Sequence, residues 1–165
     1  MSRTSSRLDL IKPSATIMVT MKAMELRARA KNVVSRSAGE PAFDTPPHVR
    51  RAAIEAIESG QTRYTAVDGT PELKAAIIEK FQRDNGLAFQ INEIIASNGA
   101  KQSLYNLMVA TLNHGDEVVV PAPYWVSYPD MVKLADGQPV ILSTTAENDF
   151  KITARQLEAS LTANT

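Results

Sequence analysis

The sequence predicts an α/β fold, a mostly parallel sheet with flanking helices, incomplete as it stands. Three observations predict it. From residue 91 onward, short apolar runs alternate with helical stretches. The runs EVVV and PVIL are apolar throughout rather than alternating, as strands buried on both faces are. Each run also gives way to a helix rather than a tight hairpin, which implies parallel crossovers.

The elements follow in order. Residues 1–15 read as an extended arm ending at Lys12-Pro13-Ser14. Residues 16–30 place Ile17, Met21, Met24 and Ala28 near one helical face. SRSAGEPAFDTPP is a loop, broken by Gly39, Pro41, Pro46 and Pro47. Thr45 before Pro46 reads as an N-cap with proline at the first helical position. That helix runs to Gly60, with Val49, Ala53, Ile54 and Ile57 on its buried side. Thr70-Pro71 repeats the start signal, for a helix carrying Leu73, Ile77, Ile78 and Phe81 and closing at Asn85-Gly86. EIIAS then reads as a strand, NGAK as a turn and QSLYNLMVATL as a helix. EVVVP is a second strand. A helix over about 127–136, ended by Gly137, leads to a third strand, QPVILST. Thr153 caps a last helix, ARQLEASL.

The chain stops at Ala163-Asn164-Thr165, directly after that helix. In βαβ grammar a helix there returns to a further strand. Three strands with so few helices leave sheet edges and a sheet face uncovered. The expectation is the first part of something longer.

Composition removes several function classes. The 165 residues are 44% hydrophobic and 22% charged, ordinary for a globular protein. Lys+Arg and Asp+Glu balance at 18 each, which gives no electrostatic case for nucleic acid or an anionic membrane. No Cys is present, which excludes disulfides and thiol chemistry. His48 and His114 lack ligand partners at metal-binding spacing and read as surface residues. No apolar run reaches membrane-spanning length, and MSRTSSRLDLIKPSAT lacks a signal-peptide core. A soluble, cytoplasmic protein is expected.

Two segments carry possible chemistry. In IIASNGAKQ (94–102), a strand meets a helix through Ser97, Asn98, Gly99 and Ala100. Small residues let backbone N–H groups approach a ligand, and the helix N-terminus favours a phosphate or carboxylate. The bland reading is a βα turn that needs small residues anyway. The second segment is PAPYWVSYPDM (121–131), which holds the only Trp, Trp125, just past a strand's C-terminal end. Ligands of α/β proteins gather at that edge. Trp125 either stacks on a flat ring there or simply covers the sheet edge. Together the two turns suit a planar, phosphorylated ligand.

Five ordered blocks carry a resemblance as well: KPSAT (12–16), SAGEPAFDTP (37–46), RYTAVDGTPELK (63–74), NGAKQ (98–102) and GDEVVVPAPYWVSYPDMV (115–132). In these the chain resembles class I aminotransferases, pyridoxal-phosphate enzymes of the aspartate aminotransferase type. It is most similar to the bacterial branch of aspartate and prephenate aminotransferases. The resemblance implies the N-terminal part of a type I pyridoxal-phosphate aminotransferase fold. It divides the chain into an arm, helix and substrate-side loop over 1–45, and the first part of a large cofactor-binding α/β domain over 46–165.

The resemblance also implies roles. Gly99, Ala100 and Lys101 match the segment that receives the cofactor phosphate. Trp125 matches the indole beside the pyridine ring, within reach of the substrate carboxylate. Tyr64 matches a phenol that reaches the cofactor phosphate of a neighbouring subunit, which implies a homodimer. Gly39 matches a backbone contact to the substrate α-carboxylate. Lys101 also matches a position tied to the distal carboxylate of an acidic substrate, and Lys12 one linked to dicarboxylate or prephenate recognition. The implied partners are small molecules, an acidic amino acid such as aspartate and a 2-oxo acid.

There are departures. Ala42 stands where the family has Asp in GEPDFDTP, and Arg36-Ser37 is more polar than usual. Ala100 replaces a common Gly, which requires a negative φ there. Transamination also needs a Schiff-base Lys, a carboxylate at the pyridinium nitrogen and an Arg for the substrate α-carboxylate. No Ser-x-x-Lys block followed by Gly-x-Arg occurs here. No catalytic residue is therefore assigned, and the 165 residues alone are expected to be inactive. The alternative expectation is a truncated, non-catalytic relic or an association-only chain.

Overall fold

Parallel strands need a crossover between them, and the clearest one here is built around the second half of the chain. The computed structural model describes residues 3–36, 39 and 41–165. It divides into two units, Met1–Gly39 with Leu104–Thr165, and Glu40–Ser103. Met1 and Ser2 of the expected arm, and Ser37, Ala38 and Glu40 of the expected loop, lie outside the described residues.

In the first unit, the expected extended arm instead forms a 3-10 helix at Ser6–Leu10. The Ser5 hydroxyl caps it by accepting the Arg7 N–H at 3.3 Å, a local bond that competes with extended backbone. Helix α1 (Ala15–Ala28) forms as expected, but none of its residues is buried. The strands β1 (Glu117–Ala122) and β2 (Gln138–Ser143) pair in parallel, in register from Glu117 opposite Gln138 to Ala122 opposite Ser143. Helix α5 (Ser127–Leu134) connects them and buries Pro129, Met131 and Val132, the last completely.

Helix α5 is shorter than the sequence suggested. Ala135 is its C-cap, and Asp136, not Gly137, takes the left-handed conformation, at φ 71°. Asp tolerates that region better than most side chains. Gly137 is needed for space instead. A Cβ there would lie 3.0 Å from Leu112 Cδ1 and 3.1 Å from both the Asp116 carbonyl and Val132 Cγ1. Helix α6 (Ala154–Ser160) carries the expected cap. The Thr153 hydroxyl accepts the Gln156 N–H, and the Gln156 side chain accepts the Thr153 N–H in return.

In the second unit, α2 (Pro47–Glu58) starts one residue later than expected, with Pro46 as N-cap and Pro47 at the first helical position. The cause is the double proline. A residue before proline is pushed out of the helical region, so Pro46 stays extended at ψ 143° and Thr45 makes no cap. The expected buried side of α2 is exposed at Val49, Ile54 and Ile57. Helix α3 (Pro71–Asn85) matches its signals: the Thr70 hydroxyl caps it at 3.3 Å, and Gly86 closes it in the left-handed region. Phe81 and Phe89 then meet edge to face at 5.2 Å.

The expected strand EIIAS is not a strand, and its Glu93 closes a 3-10 helix, Ile91–Glu93. Ile94 has strand-like dihedrals, yet the sheet formed by the described residues has two strands, β1 and β2. A strand is defined by its partner. Here the Ala96 N–H instead donates to the Asp68 carbonyl of a loop, at 2.9 Å. Helix α4 (Ala100–Thr111) follows directly.

Candidate functional site

The turn before α4 is built by its glycine. Gly99 has φ +90°, a conformation that excludes ordinary side chains. A Cβ built on it would meet nothing within 4 Å, so conformation, not crowding, demands glycine there. The space above Gly99 is open. The loop is tied down from both sides. The Gly99 N–H donates to the Ser97 carbonyl at 2.8 Å, and the Asn98 N–H donates to the Gln102 side chain at 2.5 Å. Ala100 is not among the residues with positive φ, so its Cβ fits the first helical turn without strain. Among the described residues, the Ala100 N–H has no backbone acceptor. Lys101 follows on the same exposed turn. A glycine that opens space over a helix N-terminus, with a cation in the first turn, is chemistry for a bound anion.

Tyr64 lies in this unit too. Its side chain is fully exposed, beside Thr62 and Arg63 on a shallow surface. Sequence reasoning missed what holds its loop. Lys74 of α3 is buried and forms an ion pair with Asp68. The Asp68 carboxyl is held below its ordinary range, chiefly by the Lys74 hydrogen bond. Beside it, Gly69 has φ +108°, and a Cβ there would come within 2.9 Å of the Ala96 Cβ. The available signal was the Asp-Gly pair just ahead of the Thr70-Pro71 helix start, a turn dipeptide at a fixed distance from Tyr64.

The remaining predicted residues belong to the first unit. Trp125 follows β1 and is 43% exposed. The Tyr128 ring meets it edge to face, with centroids 5.5 Å apart and planes at 85°. The exit from β1 is fixed at Ala122, whose carbonyl accepts the Thr144 N–H at 3.1 Å and the Thr144 hydroxyl as well. The peptide bond from Ala122 to Pro123 is cis. Lys12 and Gly39 are both exposed, and nothing lies within 4 Å of a Cβ built on Gly39. The structure thus brings Gly99, Ala100 and Lys101 together in one turn and puts Tyr64 in the same unit. Lys12, Gly39 and Trp125 lie in the other. Among the described residues, no group of three His, Asp or Glu could hold a metal ion, and no helix is long and apolar enough to cross a membrane.

The family model for aminotransferase class I and II matches residues 31–165. The chain belongs to the class I and II aminotransferase family. Its similarity to aspartate/prephenate aminotransferases is close: 55% identity over 161 residues to that of Nitrosomonas europaea, and 56% over 161 residues to that of Cereibacter sphaeroides. Each alignment takes in 98% of this chain, but only 41% and 40% of the respective relative. Solved aminotransferases give the same picture. The Rhizobium meliloti aspartate aminotransferase superposes with a TM-score of 0.94 at 48% identity, covering 99% of this chain and 41% of its own. The Thermus thermophilus enzyme, solved with maleate, gives 0.96 at 45%, covering 100% and 43%. The chain therefore spans about two fifths of the aminotransferases it matches. The α/β expectation stands, as a helix-rich part of the aminotransferase fold with a small parallel sheet.

Proposed function

We propose that this chain is the cofactor-phosphate portion of a pyridoxal-phosphate aminotransferase. The reaction moves an amino group from an acidic amino acid such as aspartate to a 2-oxo acid. The open, glycine-headed N-terminus of α4, with Lys101 in its first turn, carries the proposal. Pyridoxal phosphate, when bound, supplies an electron sink for negative charge at the substrate's α-carbon. The chain's own residues bind and orient. The Gly99, Ala100 and Lys101 segment receives the phosphate, since a helix N-terminus and an ammonium both favour that dianion. Trp125 walls the ring and reaches toward the substrate carboxylate. Gly39 offers a backbone contact to the α-carboxylate, and Lys12 and Lys101 select a distal carboxylate by charge. A dicarboxylate, maleate, named with the Thermus thermophilus structure, is in keeping with such a site. The same reading makes the protein a cytoplasmic homodimer, with Tyr64 turned toward the neighbouring subunit's cofactor phosphate, and keeps the division at residues 45 and 46.

No lysine here takes the covalent role. Lys74 is held in its ion pair with Asp68, and no Ser-x-x-Lys block followed by Gly-x-Arg occurs in the sequence. The test is turnover with aspartate and 2-oxoglutarate. The full-length protein converts them; the 165 residues alone do not, and borohydride traps no pyridoxyl group at a single lysine. Stoichiometric trapping at one lysine of the 165-residue chain would overturn this assignment.

A further inference from the structure

A buried ammonium is costly unless it is paired. Lys74, 6% exposed, is the one buried charged side chain among the described residues. Its partner Asp68 is half exposed and sits on a loop, six residues before it. That loop base has two further ties, both to Ala96. The Asp68 carbonyl accepts the Ala96 N–H at 2.9 Å, and Gly69 packs so closely on Ala96 that a Cβ would fall 2.9 Å from the Ala96 Cβ. The Lys74 stem completes the contact, its Cγ 3.7 Å from the same built position. On one side of this junction the loop runs out to the exposed Tyr64 and Val67. On the other, Ala96 leads into Ser97, whose carbonyl accepts the Gly99 N–H.

We infer that the Asp68–Lys74 pair is a positioning clip, which fixes the Tyr64 loop and the Asn98–Lys101 turn relative to one another so that both address a phosphate. The inference rests on the phosphate reading proposed above and adds to it two residues that touch neither cofactor nor substrate. Helix α3 supplies a fixed base through Lys74. Asp68 transmits that position to the loop. The Ala96 hydrogen bond passes it on to the turn. A clip of this kind acts on phosphate affinity more than on ring affinity, because each segment it joins serves a phosphate, the 98–101 turn that of its own subunit and Tyr64 that of the neighbouring one.

The experiment compares the full-length protein's affinity for pyridoxal 5'-phosphate with that for pyridoxal, which lacks the phosphate. Lys74→Met and Asp68→Asn each weaken pyridoxal 5'-phosphate about three- to tenfold, a range set by a charged pair solvated on one side. Pyridoxal affinity changes little. Lys74→Arg restores most of the loss. Phe81→Leu, which loosens the Phe81–Phe89 contact away from the clip, lowers the melting temperature with no preference for the phosphate. If Lys74→Met does not fold, the isosteric Asp68→Asn carries the test. Equal weakening of both ligands by the pair variants, or the same phosphate preference in Phe81→Leu, overturns the clip. Gly99→Val separates this inference from its foundation. A phosphate-selective loss in Gly99→Val without one in the pair variants overturns the clip alone. No selectivity in either overturns the phosphate reading, and the clip with it.

Discussion

Gly99 and Ala100 show how one turn assigns different requirements to neighbouring residues. At φ +90° Gly99 admits no ordinary side chain, while Ala100, already in the helical turn, accepts a methyl group. The replacement of a common Gly by Ala100 therefore costs the turn nothing. Lys101 is the next residue, and its role divides two readings. If its ammonium meets the distal carboxylate of an acidic substrate, Lys101→Ala in the full-length protein removes a charge-assisted hydrogen bond of about 1.5–3 kcal/mol. The kcat/KM for aspartate then falls at least about tenfold further than that for alanine. Equal losses for the two substrates place Lys101 at the phosphate instead.

At the level of elements, the turn from α5 to β2 is constrained by space. Gly137 lies against Leu112, Val132 and the Asp116 backbone, and the last of these cannot give way as a side chain can. Gly137→Ala should cost about 1–3 kcal/mol, the usual penalty for overpacking. Gly86→Ala makes the contrast. Nothing lies near a Cβ there, but φ is +67°, so the cost of about 1 kcal/mol is conformational. Urea denaturation of the full-length protein measures both. A Gly137→Ala variant as stable as the parent would show that β2 shifts to make room. The segment 94–97 teaches the complementary lesson. Its apolar run reads as a strand and Ile94 has strand-like dihedrals, but the Ala96 N–H goes to the Asp68 loop. Propensity describes a segment; a ladder requires two.

At the scale of the molecule, the exposed surface dominates. The chain has 13592 Å² of accessible area at 18.0 kDa, where a folded monomer of that mass has about 8,000 Å². Among the described residues, the buried hydrophobic side chains are Val120, Met131, Val132 and Ala135 in one unit and Ile94 in the other, while Met21, Met24, Ile54 and Ile57 stay largely exposed. Exposed apolar side chains in such number are an aggregation hazard. The 165 residues expressed alone should bind a hydrophobic dye and aggregate, and melt without a sharp transition. A monodisperse monomer with a cooperative melt and no dye binding would contradict this.

The amino-acid sequence alone determined the α/β class, the helices whose ends carry local signals, and the family. Thr70-Pro71, Asn85-Gly86 and the Thr153 cap are each written within a few residues, and short-range bonds decide them. The glycine-headed turn at 98–101 was legible for the same reason. Only the tertiary structure decided which extended run became a strand, which apolar helix faces found cover, and what holds the Tyr64 loop. Those outcomes depend on partners distant in sequence. Asp68, Lys74 and Ala96 are unremarkable apart, and they form a junction only when α3, the loop and the 94–97 segment meet. Local chemistry is encoded in neighbours along the chain, whereas burial and pairing are properties of what the fold brings alongside.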